Sequence, residues 1–223
     1  MFEPNVKLNR FEENYVKRYE SEPAPKGRIL FYGPSNFTRW APRWNNPRLE
    51  DEILMKDGSP ACLNRAFGGS CIEEQLYYYP RLVRPCAPRA LVLSAYGNHA
   101  SHGYTPADVF FLATRILEYA RTDFPGIKLF FCDVPATLRA SELRPGSVPA
   151  REDYNELVRY YYEKHEDTTF VQHWTWPGFF TEGGTGKPEC VRPELFIDDH
   201  VHFNAEGYAV YRDFFYEYLK DLL

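Results

Sequence analysis

Three residue types that cooperate in acyl transfer occur in this chain where their spacing permits that chemistry. Ser35 directly follows Ile29-Leu30-Phe31-Tyr32-Gly33-Pro34, an apolar run cut off by Gly-Pro. A hydroxyl placed where a strand stops becomes a nucleophile when a base lies beside it. His202 can be that base. Asp199 stands three residues before it, so on a single turn the carboxylate can hold one ring nitrogen while the other faces outward. Asp198, four residues away, is a competing acid at a spacing that a tight helix also allows. Gly69 offers a backbone N–H and Asn98 a side-chain amide, both suited to a negative charge growing on a substrate oxygen. Each has an ordinary alternative. Ser35 can N-cap a short helix toward Trp40, Gly68-Gly69 can serve a sharp helix entry, and Asn98 can be a turn former. Asp199 and His202 can belong to a helix cap centred on Asn204.

The elements that must bring these residues together follow from periodicity. Apolar runs at residues 29–32, 61–64, 90–94, 129–134 and 169–172 predict five strands. After the second, Ser70 and Glu73 read as a capping box opening a helix that should kink or end near Pro80 or Pro85. Thr105-Pro106-Ala107-Asp108 opens another, whose Val109, Leu112, Ala113, Ile116, Leu117 and Ala120 form one apolar stripe. Further helices are expected over residues 152–164 and 205–222, with shorter ones near 11–19 and 49–55. Strands alternating with helices predict an α/β fold, a three-layer α/β/α sandwich around a parallel sheet with right-handed crossovers. In such a sheet, every turn that follows a strand lies along one edge. Ser35, Gly69 and Asn98 follow the first, second and third strands, so topology alone makes them converge.

The 223 residues are 44% hydrophobic and 17% aromatic, enough for a well-filled core, and no linker-like stretch divides them. One domain over residues 27–223 is expected, with the polar residues 1–26 packed on it as an extension. A net charge of −5 argues against a nucleic-acid or polyanion binder. The start has no apolar targeting core and no run reaches spanning length, so a soluble, cytoplasmic protein without a membrane span is expected. Five cysteines without a CxxC pair read as reduced thiols, Cys71 and Cys132 within apolar patterns. His200-x-His202 beside Asp198 and Asp199, and His99-x-x-His102, are thin ligand sets that no Cys or Glu completes, so no metal is expected. Trp174, Trp176 and Phe180, beside Gly183-Gly184, read either as a substrate-pocket wall or as anchors of a long loop. Tyr77-Tyr78-Tyr79 and Tyr160-Tyr161-Tyr162 cannot all face inward on a helix, which suggests a homodimer surface.

Four segments together resemble the SGNH (GDSL-like) hydrolase superfamily, in its bacterial esterase and platelet-activating-factor-acetylhydrolase-like branch. They are Gly33-Pro34-Ser35-Asn36 with Trp40, Asn64-Arg65-Ala66-Phe67-Gly68-Gly69-Ser70, Tyr96-Gly97-Asn98-His99, and Asp199-His200-Val201-His202 with Phe203-Asn204-Ala205-Glu206-Gly207-Tyr208. The likeness spans about residues 28–218 and keeps the block order. It implies a flavodoxin-like five-stranded sheet and a cofactor-free serine ester hydrolase acting through an acyl-enzyme. Its substrates would be small or short-chain acyl esters, acetylated carbohydrates among them. By position, the resemblance makes Ser35 the nucleophile, His202 the base and Asp199, rather than Asp198, its orienting acid. It makes the Ser35 N–H, the Gly69 N–H and the Asn98 amide the oxyanion hole. Two departures bear on that hole: Pro34 stands where the family usually has Asp, and His99 where it has a second acid. Neither removes a triad member. The alternatives are a binding protein on the same scaffold, its catalysis weakened, and a metal-dependent hydrolase using His200 and His202.

Overall fold

In the computed structural model, residues 5–138 and 147–223 are described. Strands β1 (Ile29–Tyr32), β2 (Cys62–Asn64), β3 (Ala90–Leu93), β4 (Lys128–Cys132) and β5 (Thr168–Val171) form one all-parallel sheet in the order β2-β1-β3-β4-β5. Alternate side chains enter two separate cores, because successive Cβ atoms point to opposite faces. Leu30, Tyr32, Leu91, Leu93, Leu129 and Phe131 pack on one face; Ile29, Phe31, Ala90, Val92, Phe130 and Cys132 pack on the other. Seven helices complete the fold: α1 (Lys17–Ser21), α2 (Ser35–Thr38), α3 (Leu49–Glu52), α4 (Ile72–Leu82), α5 (Pro106–Asp123), α6 (Ser147–Tyr162) and α7 (Ala205–Leu219). Buried residues of α1, α4, α5 and α6 join the first core, and those of α2, α3 and α7 the second.

The chain leaves β1 for β2 on one side and returns with β3 on the other. The crevice between the carboxyl ends of β1 and β3 is therefore the topological switch point, where open parallel sheets bind ligands. The first described residues are not a loose appendage: Val6, Phe11, Val16 and Tyr19 are buried in the first core, and the Tyr19 hydroxyl donates to the Ala66 carbonyl at 2.6 Å.

One local expectation changes. The box opening α4 is one residue further on, with the Cys71 N–H donating to Glu74 at 2.8 Å. Ser70 instead accepts from the Gln75 amide and Glu73 from the Tyr104 hydroxyl, so tertiary partners outbid the local cap. Helix α4 ends at Leu82, between Pro80 and Pro85, as the prolines predict. The tyrosine triplets split, Tyr78, Tyr79 and Tyr161 going inward while Tyr77, Tyr160 and Tyr162 are exposed. All five cysteines are free thiols. Among the described residues, no helix is long and apolar enough to cross a membrane.

Candidate active site

At the end of β1 the chain must pass close to β3. A Cβ on Gly33 would stand 2.7 Å from the Ser94 carbonyl oxygen, which only glycine avoids. Helix α2 begins at once with Ser35 as its first residue, and its N-cap is Pro34. The Pro34 carbonyl takes the Phe37 and Thr38 N–H groups. Ser35 is thus not spent on capping. Its Oγ lies 2.7 Å from His202 Nε2. Helix α7 holds the turn from below: Tyr208 donates to the Asn36 carbonyl at 2.9 Å, and the Asn36 amide donates to the Tyr211 hydroxyl at 3.2 Å.

His202 sits on a short loop closed by an antiparallel bridge between Phe196 and Phe203 and by the Ile197 N–H on the His202 carbonyl at 2.9 Å. His200 takes a left-handed φ of 61°, a conformation costly for a side chain with a Cβ and tolerated where surrounding contacts over-determine it. Asp199 supplies those contacts, its Oδ1 accepting the Val201 and His202 N–H groups and its Oδ2 meeting His202 Nδ1 at 2.6 Å. Burial alone would raise the Asp199 carboxyl. The ring and backbone donors from residues 202 and 201 outweigh it and hold the group at about 2. An ionised carboxylate only accepts, so Nδ1 carries the ring proton and the neutral Nε2 is left to accept from Ser35. Arg39, one helical turn after Ser35, also donates to Asp199 Oδ2, at 3.3 Å. Asp198 is exposed, and Asn204 separately caps α7 through the Gly207 N–H.

Gly69 adopts φ +84°, a region open to glycine at no steric cost, and Gly68 faces the serine, with a Cβ there 3.5 Å from Ser35 Cβ. Among the described residues neither the Ser35 N–H nor the Gly69 N–H meets a protein acceptor. Buried or half-buried amides are rarely left so. Asn98 donates one amide hydrogen to the Ser70 carbonyl at 3.0 Å, which fixes the orientation of the second. His99 is fully buried with Nε2 accepting the Ile72 N–H at 2.9 Å. Burial pushes its pKa down to about 3, so an uncharged acceptor stands where the family has an acid.

The aromatic loop does not join this group in the described contacts. Trp174 donates its indole N–H to the Val134 carbonyl and lies under the Arg151 guanidinium, Trp176 packs edge-on to Phe214, and Phe180 is buried beside Trp174. These contacts tie the loop to the domain, and Trp174 also lines an open cleft with Arg151, Asn155 and Arg159. His99 and His102 do not converge either, His102 Nδ1 lying 2.9 Å from the Asn98 carbonyl. Among the described residues no three His, Cys, Asp or Glu side chains are grouped to hold a metal ion. Sequence reasoning missed three participants: Arg39, Arg10, which donates to the Gly69 carbonyl, and a buried Asp133–His173 pair. The one-turn spacing from Ser35 was a usable signal for Arg39. Asp133 and His173 lie just past β4 and β5, the same edge argument that located Asn98.

With this geometry in view, the comparisons with known proteins are direct. The GDSL-like lipase/acylhydrolase family matches residues 30–210, and the chain belongs to that family, within the SGNH hydrolase superfamily. Among solved structures it is similar to a candidate acylhydrolase from Bacteroides fragilis NCTC 9343, with TM-score 0.73, 17% identity and 97% and 99% of the two chains covered. A GDSL-like lipase from Bacteroides thetaiotaomicron VPI-5482 gives TM-score 0.68 and 17% identity over 97% and 100% of the chains. A variant of an acetyl-xylooligosaccharide esterase from Geobacillus gives TM-score 0.63 and 13% identity over 88% and 95%. At such identities the likeness is one of fold. No curated protein matches the chain.

Proposed function

We propose that this acylhydrolase-family chain is a serine-dependent carboxylic ester hydrolase working through Ser35, His202 and Asp199. One observation carries the reading: the unbroken line from Asp199 Oδ2 to His202 Nδ1 at 2.6 Å and from His202 Nε2 to Ser35 Oγ at 2.7 Å. As Oγ attacks the ester carbonyl carbon, its proton passes to Nε2, and Asp199 stabilises the imidazolium. The carbonyl oxygen becomes an oxyanion facing the orphan N–H groups of Ser35 and Gly69 and the free amide hydrogen of Asn98. Each donor of that kind is worth about 10²–10³ in turnover. Collapse expels the alcohol with the proton from Nε2, and water, activated by the same base, releases the acid. No cofactor enters this sequence.

The reading takes small or short-chain acyl esters as substrates, acetylated carbohydrates included, the latter in keeping with the fold's likeness to an acetyl-xylooligosaccharide esterase. The test is p-nitrophenyl acetate hydrolysis with labelling by a fluorophosphonate probe. Ser35→Ala is expected to abolish labelling and to lower kcat by about 10⁴-fold or more. Labelling or turnover that survives the substitution overturns the reading. A folded, unlabelled and inactive wild type would favour a binding role. Acetylated xylo-oligosaccharides compared with butyryl and longer p-nitrophenyl esters then locate the substrate class.

A further inference from the structure

The Gly68-Gly69 turn has two sides. One faces Ser35; the other is covered by the N-terminal segment, which lies outside the family match at residues 30–210. A Cβ on Gly69 would stand 3.8 Å from the Phe11 ring, and one on Gly68 would stand 3.4 Å from the Tyr15 hydroxyl. Phe11 itself packs edge-on to Phe67, with ring centroids 5.2 Å apart. Arg10 stacks on Phe11 and spans two acceptors: its Nη2 donates to the Gly69 carbonyl at 3.0 Å and to Glu74 Oε2 at 2.9 Å, while its Nε bonds Glu74 Oε1. Glu74 is wholly buried and also takes the Cys71 N–H, so it is a fixed post at the start of α4. On the next residue, the Ser70 carbonyl is held by Asn98. Two successive carbonyls are thus held by side chains from different elements, one by Asn98 and one by Arg10.

Resting on the Ser35 reading above, we propose that Arg10 is a positioning residue that holds the Gly68-Gly69 turn, and through it the Gly69 N–H, beside Ser35 by bridging the Gly69 carbonyl to Glu74. That carbonyl lies on the peptide after Gly69 and the N–H on the peptide before it, so Arg10 acts on the N–H by fixing the far side of a turn that a glycine at φ +84° leaves without a Cβ to restrict it. The planar guanidinium fork suits that task, since it reaches a carboxylate and a carbonyl at once with its charge retained. A second arginine provides the control. Arg81 ties the same segment to α4 through Glu12 and Glu20, with contacts of 2.7–2.8 Å, and does not touch the turn.

The experiment measures kcat, KM and thermal melting of Arg10→Ala and Arg81→Ala on p-nitrophenyl acetate, with Ser35→Ala in parallel. Arg10→Ala is expected to lower kcat by about 10- to 100-fold with KM within about twofold, the scale of a misplaced catalytic group. Arg81→Ala, though it lowers the melting temperature comparably, is expected to keep kcat within about twofold of wild type. Equal kcat losses in both variants, or no loss in Arg10→Ala, overturn the proposal. Should Arg10→Ala fail to fold, Arg10→Met carries the same comparison, because it keeps an apolar stem against Phe11 and removes every donor, and a kcat at the wild-type level would refute the clamp. Activity that survives Ser35→Ala would instead indict the Ser35 reading, which keeps the two failures apart.

Discussion

Two aspartate–histidine pairs in this molecule share atoms and differ in surroundings. Asp199 meets His202 Nδ1 at 2.6 Å, and Asp133 meets His173 Nδ1 at 2.5 Å. Each imidazole presents Nε2 to a hydroxyl, Ser35 at 2.7 Å in one case and Tyr211 at 3.0 Å in the other. The side chains of His202 and Asp199 are 15% and 34% exposed, whereas those of His173 and Asp133 are 1% and 3%. Tyr211 is fully buried against Phe214 and Phe37, and burial drives its phenol well above the ordinary range. No substrate can reach it. An Asp–His couple becomes catalytic equipment only where its third member is open and flanked by unpaired donors. The buried couple has a different use: through Tyr211 and the Asn36 amide, it holds the residue beside Ser35.

That contrast can be broken most directly at the open pair. Asp199→Asn is expected to lower kcat by about 10⁴-fold with little change in KM or melting, as amide substitution does in another serine triad. Asp198→Asn is expected to be silent in the same assay. If the two exchange behaviour, the orienting acid has been misassigned.

The buried pair is expected to fail in stability instead. His173→Leu takes the ring donor from the buried Asp133 and leaves it a backbone N–H at 2.9 Å, a cost of about 3 kcal/mol or more. Urea melts should report that loss while the folded enzyme keeps turnover within about tenfold. A turnover loss as deep as that of Asp199→Asn would erase the distinction between the pairs.

A third histidine sharpens the point through pH. His99 titrates at about 3 in the folded chain against an ordinary 6.5, so below 6.5 the unfolded chain binds the extra proton. Its contribution is full above pH 6.5, erodes by up to about 1.4 kcal/mol per pH unit as pH falls toward 3, and is exhausted below that. Urea melts at pH 7 and pH 5 should show this slope, and His99→Gln should flatten it. Tyr211→Phe is the mildest test. Losing the Asn36 acceptor should cost about 1 kcal/mol and about fivefold in kcat, measurable by melts and steady-state kinetics. No change in either would disconnect the buried pair from Ser35.

The chain by itself determined the layers and pointed to the residues of the candidate triad. Apolar runs of four to six residues bounded by turn signals read as strands covered on both faces, and an all-parallel sheet sends every following turn to one edge. Ser35, Gly69 and Asn98 could therefore be placed on one edge before any contact was known, while spacing left Asp198 and Asp199 both open as partners of His202 and the family resemblance favoured Asp199. Tertiary structure alone decided the rest. Asp133 meets His173 across 40 residues and Arg10 meets Glu74 across 64, pairings that no local period encodes. Trp174, Trp176 and Phe180 are apolar wherever they point, so composition could not separate a pocket wall from a core anchor. The box at α4 slipped by one residue because Glu73 and Ser70 found partners on other elements. Local pattern specifies which faces must be covered. Which side chains meet across the gap is settled only when the covering elements are packed, because hydrogen-bond geometry is a matter of tenths of an ångström that sequence spacing does not carry.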